Sequence, residues 1–113
     1  MKEVITVQTL KALVKLFIDL TNDVMENSTE WAYAVLEPAL IKSEEVTLKY
    51  LEQISEDEFI ILGETNHFLD ILGKFKSSAI LNAIQQQYRN FFGESTDTEF
   101  YQNYIDGLDN YLR

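Results

Sequence analysis

The sequence predicts an all-α protein: a single compact domain over residues 1–113, built of about six or seven uneven helices in an irregular orthogonal array rather than a regular four-helix bundle. Apolar side chains recur at three- and four-residue steps along nearly the whole chain, which gathers them on one face of each helix. Glycine occurs four times and proline once, so the chain is rarely broken. Ser or Thr followed by acidic residues recurs between the apolar segments, the pattern of helix starts. No repeat, low-complexity tract or linker divides the chain, and the uneven helix lengths argue against a regular bundle.

Val4-Ile5-Thr6-Val7 alternates like a strand but is too short to build a sheet, and reads as a lead-in. The first helix is expected from about Val7 to Glu26, with Leu10, Leu13, Val14, Phe17, Leu20 and Val24 inward and Lys11, Lys15, Asp19 and Asp23 outward. Asn27-Ser28 supplies a break, and a short helix carrying Trp31, Ala32, Ala34 and Val35 is stopped or kinked by Pro38. Ser43 caps the next helix, with Glu44 and Glu45 in its positive first turn and Val46, Tyr50, Leu51 and Ile54 as its apolar stripe. Ser55-Glu56-Asp57-Glu58 is a capping box, opening a short helix expected to end at Gly63. Another short helix, Asn66 to Leu72, is expected to end at Gly73 in the same way. Ser77 or Ser78 opens a longer helix with Leu81, Ile84, Tyr88, Phe91 and Phe92 inward, closed by Gly93. Thr96-Asp97-Thr98-Glu99 is a second capping box, and Tyr101, Tyr104, Ile105, Leu108 and Leu112 share a face of the last helix.

Composition closes off several functions. Without cysteine there is no disulfide, thiolate chemistry or Cys-based zinc site. No stretch approaches a membrane span, and Met1-Lys2-Glu3-Val4-Ile5 lacks the signal-peptide pattern, so the expected address is the cytoplasm. Nineteen acids against nine Lys and Arg give a net charge of −10. Such a surface repels nucleic acid and anionic lipid, whose phosphates need clustered cations, and it attracts basic proteins.

Motifs for chemistry are sparse. Glu64-Thr65-Asn66-His67 has the Glu-x-x-His spacing of helical di-iron sites, but those need a second copy and further glutamates, and this chain has one histidine. Asp70, one turn after His67, makes an acid/base pair, with Ser77 or Thr65 the nearest nucleophile candidates. Asp19, Asp23 and Glu26 share helical spacing that suits either a cation or a solvated face, and no calcium-loop pattern is present. Nucleophile-elbow and phosphate-cradling glycine motifs are absent. The expectation is a protein that is not an enzyme and holds no cofactor, metal or small molecule.

Two acidic zones stand out. One contains Glu52, Glu56, Asp57 and Glu58, and the other contains Glu94, Asp97, Glu99, Asp106 and Asp109 with only Arg113 to offset it. First-turn acids are explained by the helix dipole; Asp106 and Asp109 fall late in a helix and are not. Tyrosine is an interface residue, and Tyr33 and Tyr111 are the least tied to an apolar stripe. The expected function is an acidic protein-binding inhibitor. It resembles in gross character an immunity protein or antitoxin that occludes the groove of a basic, nuclease-type toxin, through Glu52, Asp57, Glu94, Asp106, Asp109 and Tyr111. The alternatives are a phage or mobile-element DNA mimic, a helical adaptor, and a metal-binding enzyme using Glu64 and His67.

Overall fold

Helix α1 (Val7–Asn22) buries Leu10, Val14 and Phe17 along one stripe and leaves Lys11, Lys15 and Asp19 exposed, as the spacing predicts. Thr6 starts it by accepting the Thr9 N–H at 3.2 Å. The computed structural model describes residues 5–22 and 28–93, which form helices with no strand among them. Val24, Asp23 and Glu26 lie outside these residues, as do the second capping box and the last expected helix.

Residues 28–40 form one continuous rod of three parts: α2 (Ser28–Trp31), a π-helical turn (Ala32–Leu36) and α3 (Glu37–Leu40). Pro38 therefore does not stop the helix. Proline offers no N–H and crowds the carbonyl four residues back. Here the turn before it widens, and the Glu37 N–H reaches the Ala32 carbonyl five residues back. The rod buries Ala32, Leu36 and Leu40, while Tyr33 and Val35 are 48% and 41% exposed. The buried Thr47 hydroxyl donates to the Leu40 carbonyl at 2.5 Å, satisfying an acceptor that the end of the rod would otherwise orphan.

Helix α4 (Glu44–Glu52) starts at Ser43, whose hydroxyl accepts the Val46 N–H at 3.3 Å. Tyr50, Leu51 and Ile54 are buried as expected. The hydroxyl of Tyr50 was not legible as a polar contact; it donates to the Glu58 carboxylate at 2.5 Å. Burial first, and then the neighbouring Glu58, push Tyr50 far above the ordinary tyrosine range, so it stays a donor. Glu58 also completes the capping box of α5 (Glu56–Glu64): the Ser55 hydroxyl accepts the Glu58 N–H, and the Glu58 carboxylate accepts the Ser55 N–H.

Two expected helix ends are displaced. Helix α5 passes through Gly63 to Glu64, and it is Asn66, at φ 66°, that adopts the left-handed conformation. Helix α6 (His67–Phe75) passes through Gly73, and Lys76, at φ 48°, ends it. A glycine permits the left-handed turn without requiring it. Carrying α6 past Gly73 brings Phe75 onto the core, and Gly63 sits against the Phe68 ring, where α5 and α6 close on each other. Helix α7 (Ser78–Phe92) follows the sequence closely: Ser77 caps it by accepting the Ile80 N–H, and Gly93 ends it at φ 64°.

The core is one cluster to which every helical rod contributes. Helix α4 lies along α7, and Gln87 of α7 donates to the Leu51 carbonyl at 2.9 Å. Phe59 meets Phe68, Phe91 and Phe92 at centroid distances of 5.0 to 6.1 Å, pinning α5 to α6 and α7. The packing is irregular, as predicted.

The Gly73 assignment has a direct test. Nothing lies within 4 Å of a Cβ added there. Gly73→Ala in mid-helix is expected to raise unfolding free energy by about 1 kcal/mol in urea titration. A left-handed Gly73 would instead make the same variant less stable.

Candidate functional site

The first turn of α6 places the single histidine inside the protein. Asn66 turns the chain left-handed, and the helix that follows buries His67, Phe68, Ile71 and Leu72 on one face. His67 is 1% exposed. Its ring lies edge-on to Phe17 of α1 at 5.7 Å and tilted against Tyr33 of the π turn at 5.4 Å.

Two carboxylates converge on this ring. Asp70 stands one turn further along α6, on the same face. Glu37 arrives from the rod, in the first turn of α3 directly after the π turn. Its Oε1 lies 3.6 Å from His67 Nδ1, beyond hydrogen-bond range, and both atoms are buried without a hydrogen-bond partner. One ligand-type atom from each of Glu37, His67 and Asp70 falls within 4.8 Å of the other two.

The electrostatics of the three are linked. Burial lifts the Glu37 carboxyl to about 7, and a hydrogen bond with Asp70 and repulsion from its charge add to the rise. Burial lowers His67 below the ordinary histidine value, while the nearby Asp70 pulls it the other way. Buried polar atoms without partners destabilise a fold, so this cluster is held in place by the packing around it.

The expected site residues separate. Glu64 is exposed near the end of α5, beside a surface groove shared with Ile18, Asn22 and Asp57, and it does not join the cluster around His67. The break at Asn66 interrupts the helical register that Glu-x-x-His spacing needs. Both candidate nucleophiles serve helix ends: Thr65 donates to the Ile61 carbonyl at 2.6 Å, and Ser77 accepts the Ile80 N–H at the start of α7. Glu52, the last residue of α4, is exposed at the rim of an open groove between α4 and α7, with Leu48, Asn82, Gln86 and Asn90 among its walls. Asp57 is exposed in the first turn of α5. Glu94, Asp106, Asp109 and Tyr111 lie outside the described residues.

Sequence reasoning missed Glu37. A glutamate before a proline reads as local helix chemistry, and nothing along the chain pairs it with His67. No protein-family model matches this chain, and neither a curated protein nor a solved structure matches it. Among the described residues, no helix is long and apolar enough to cross a membrane.

The raised Glu37 carboxyl predicts a pH dependence. Folding lifts it from 4.5 to about 7, so the folded state holds a proton that the unfolded chain releases. Its contribution to stability is full below 4.5 and is lost as pH rises through about 7. In the presence of chelator, Glu37→Gln is therefore expected to gain in Tm relative to the parent between pH 5 and pH 8. A Tm difference that stays flat across that interval would show that Glu37 is not perturbed.

Proposed function

We propose that this chain is an acidic protein-binding inhibitor, acting in the cytoplasm to neutralise a basic partner as an immunity protein or antitoxin does. The partner class is a nuclease-type toxin whose nucleic-acid groove is lined with Lys and Arg. The chain would cover that groove with carboxylates on rigid helices and exclude the polyanionic substrate.

The observation that carries the reading is Glu52. Glu44, Glu45, Glu56 and Asp57 are exposed acids in first turns, where the helix dipole already favours them. Glu52 closes α4, where negative charge is unfavourable, and makes no ion pair among the described residues. Local stability does not account for it, and a cationic partner does. It stands at the rim of a groove walled by the carboxamides of Asn82, Gln86 and Asn90, which suit hydrogen bonding to a partner's side chains. The net charge of −10 supports the same reading, and Glu94, Asp106, Asp109 and Tyr111 are the further residues assigned to the contact from the sequence.

The test begins with the tagged chain, used at low salt to capture its partner from the source cells. The expected result is a basic protein whose nuclease activity disappears in the complex, with an association rate that falls as salt rises. Replacing both Glu52 and Asp57 with Lys is expected to weaken that complex by about tenfold or more, which corresponds to about 1.4 kcal/mol, while leaving Tm nearly unchanged. A partner that stays active in the complex, or an affinity indifferent to the double variant, would sink the reading. Competition with duplex DNA for several unrelated DNA-binding proteins would make the chain a DNA mimic instead.

A further inference from the structure

We propose that Glu37, His67 and Asp70 form a binding site for one divalent transition-metal ion, with Zn2+ as the ion to test, linking α3 to α6. The site shares no residue with the acidic surface assigned to partner binding, so neither reading depends on the other.

The imidazole of His67 is unpartnered at Nδ1. His67 is 1% exposed, and its Nδ1 lies 3.6 Å from Glu37 Oε1 without forming a hydrogen bond. A proton on Nδ1 finds its acceptor 3.6 Å away, too far to bond, and a lone pair there finds no donor. A proton shared between Glu37 and Asp70 relieves the two acids and still leaves Nδ1 with nothing. A cation between the three groups engages the nitrogen lone pair and both carboxylates together.

The spacing of the three groups is that of ligands around one ion. Ligands about 2.1 Å from a tetrahedral ion are about 3.4 Å from each other. Glu37 Oε1 and His67 Nδ1 are 3.6 Å apart, and all three ligand-type atoms lie within 4.8 Å of one another. An ion would draw these atoms together by side-chain movement.

Ligand chemistry narrows the class. One imidazole with two carboxylates suits Zn2+, Mn2+ or Fe2+, whereas Mg2+ and Ca2+ favour all-oxygen shells. Glu37 and Asp70 are only partly buried, which leaves an approach from solvent, while Phe17 and Tyr33 hold the imidazole ring in orientation. Three protein ligands leave a further position for water or another donor.

The experiment uses the full chain, stripped with chelator and then titrated with Zn2+ alone in a calorimeter. One ion per chain and a rise in Tm with Zn2+ are expected. Co2+ in place of Zn2+ should give visible absorption bands from nitrogen and oxygen ligation. Glu37→Gln and Asp70→Asn, which keep size and shape, are each expected to weaken Zn2+ by about tenfold or more and to abolish the Co2+ bands. Glu64→Gln, outside the cluster, should change neither. Because His67 is buried, His67→Ala is read only if circular dichroism shows it folded, and the two carboxamide variants carry the test without it. The proposal is overturned if no saturable one-to-one binding occurs below about 1 mM Zn2+. It is equally overturned if Glu37→Gln and Asp70→Asn bind as tightly as the parent, since the ion then sits elsewhere.

Discussion

Pro38 has no N–H to give, and its ring crowds the carbonyl of the preceding turn, so a helix running through it has to widen or break. The rod of residues 28–40 widens, with the Glu37 N–H bonding to Ala32 across a π turn. Much of the candidate site depends on that adjustment. It keeps Ala32, Leu36 and Leu40 on the core side, sets Tyr33 against the histidine ring, and brings Glu37 within 3.6 Å of His67. Inserted turns of this kind occur frequently where a helix serves a site.

The remainder of the fold is held by an apolar cluster with a few polar contacts at its edges. Two of these contacts join consecutive elements, and one joins helices far apart in the chain. Thr47 ties α4 to the end of the rod, Tyr50 ties α4 to the capping box of α5, and Gln87 ties α7 to the end of α4. Tyr50 shows why such bonds matter. Its ring is buried, so its hydroxyl would be costly without a partner, and Glu58 supplies one while also capping its own helix. One glutamate thus fixes both the start of α5 and its docking on α4.

The protein keeps two kinds of negative charge apart. Among the described residues, surface acids sit mainly in first turns, where they cost little and leave a field that favours cationic partners. The acids at His67 are of the other kind. They face an imidazole and each other in partial burial, where proximity raises the cost of charging both. A surface field acts at a distance and suits protein recognition, whereas a converging trio acts at contact and suits a single small ion. The two functional readings attach to different physics in different parts of one small domain.

The sequence by itself determined the helical class, the inward stripes of α1, α4 and α7, and the capped starts at Ser43, Ser55 and Ser77. These depend on side-chain spacing and on hydrogen bonds spanning three or four residues, which a linear text contains. It also determined the charge. Helix ends at Gly63 and Gly73 are misplaced because glycine only permits a left-handed turn; the turns fall at Asn66 and Lys76, with Phe68 and Phe75 packed on the core. The tertiary structure alone decided that Glu37, not Glu64, accompanies His67. Glu64 is near in sequence but separated by the break at Asn66, while Glu37 belongs to a different rod. Spacing along a chain predicts neighbours only within one helix; between helices, proximity is set by how the apolar faces pack.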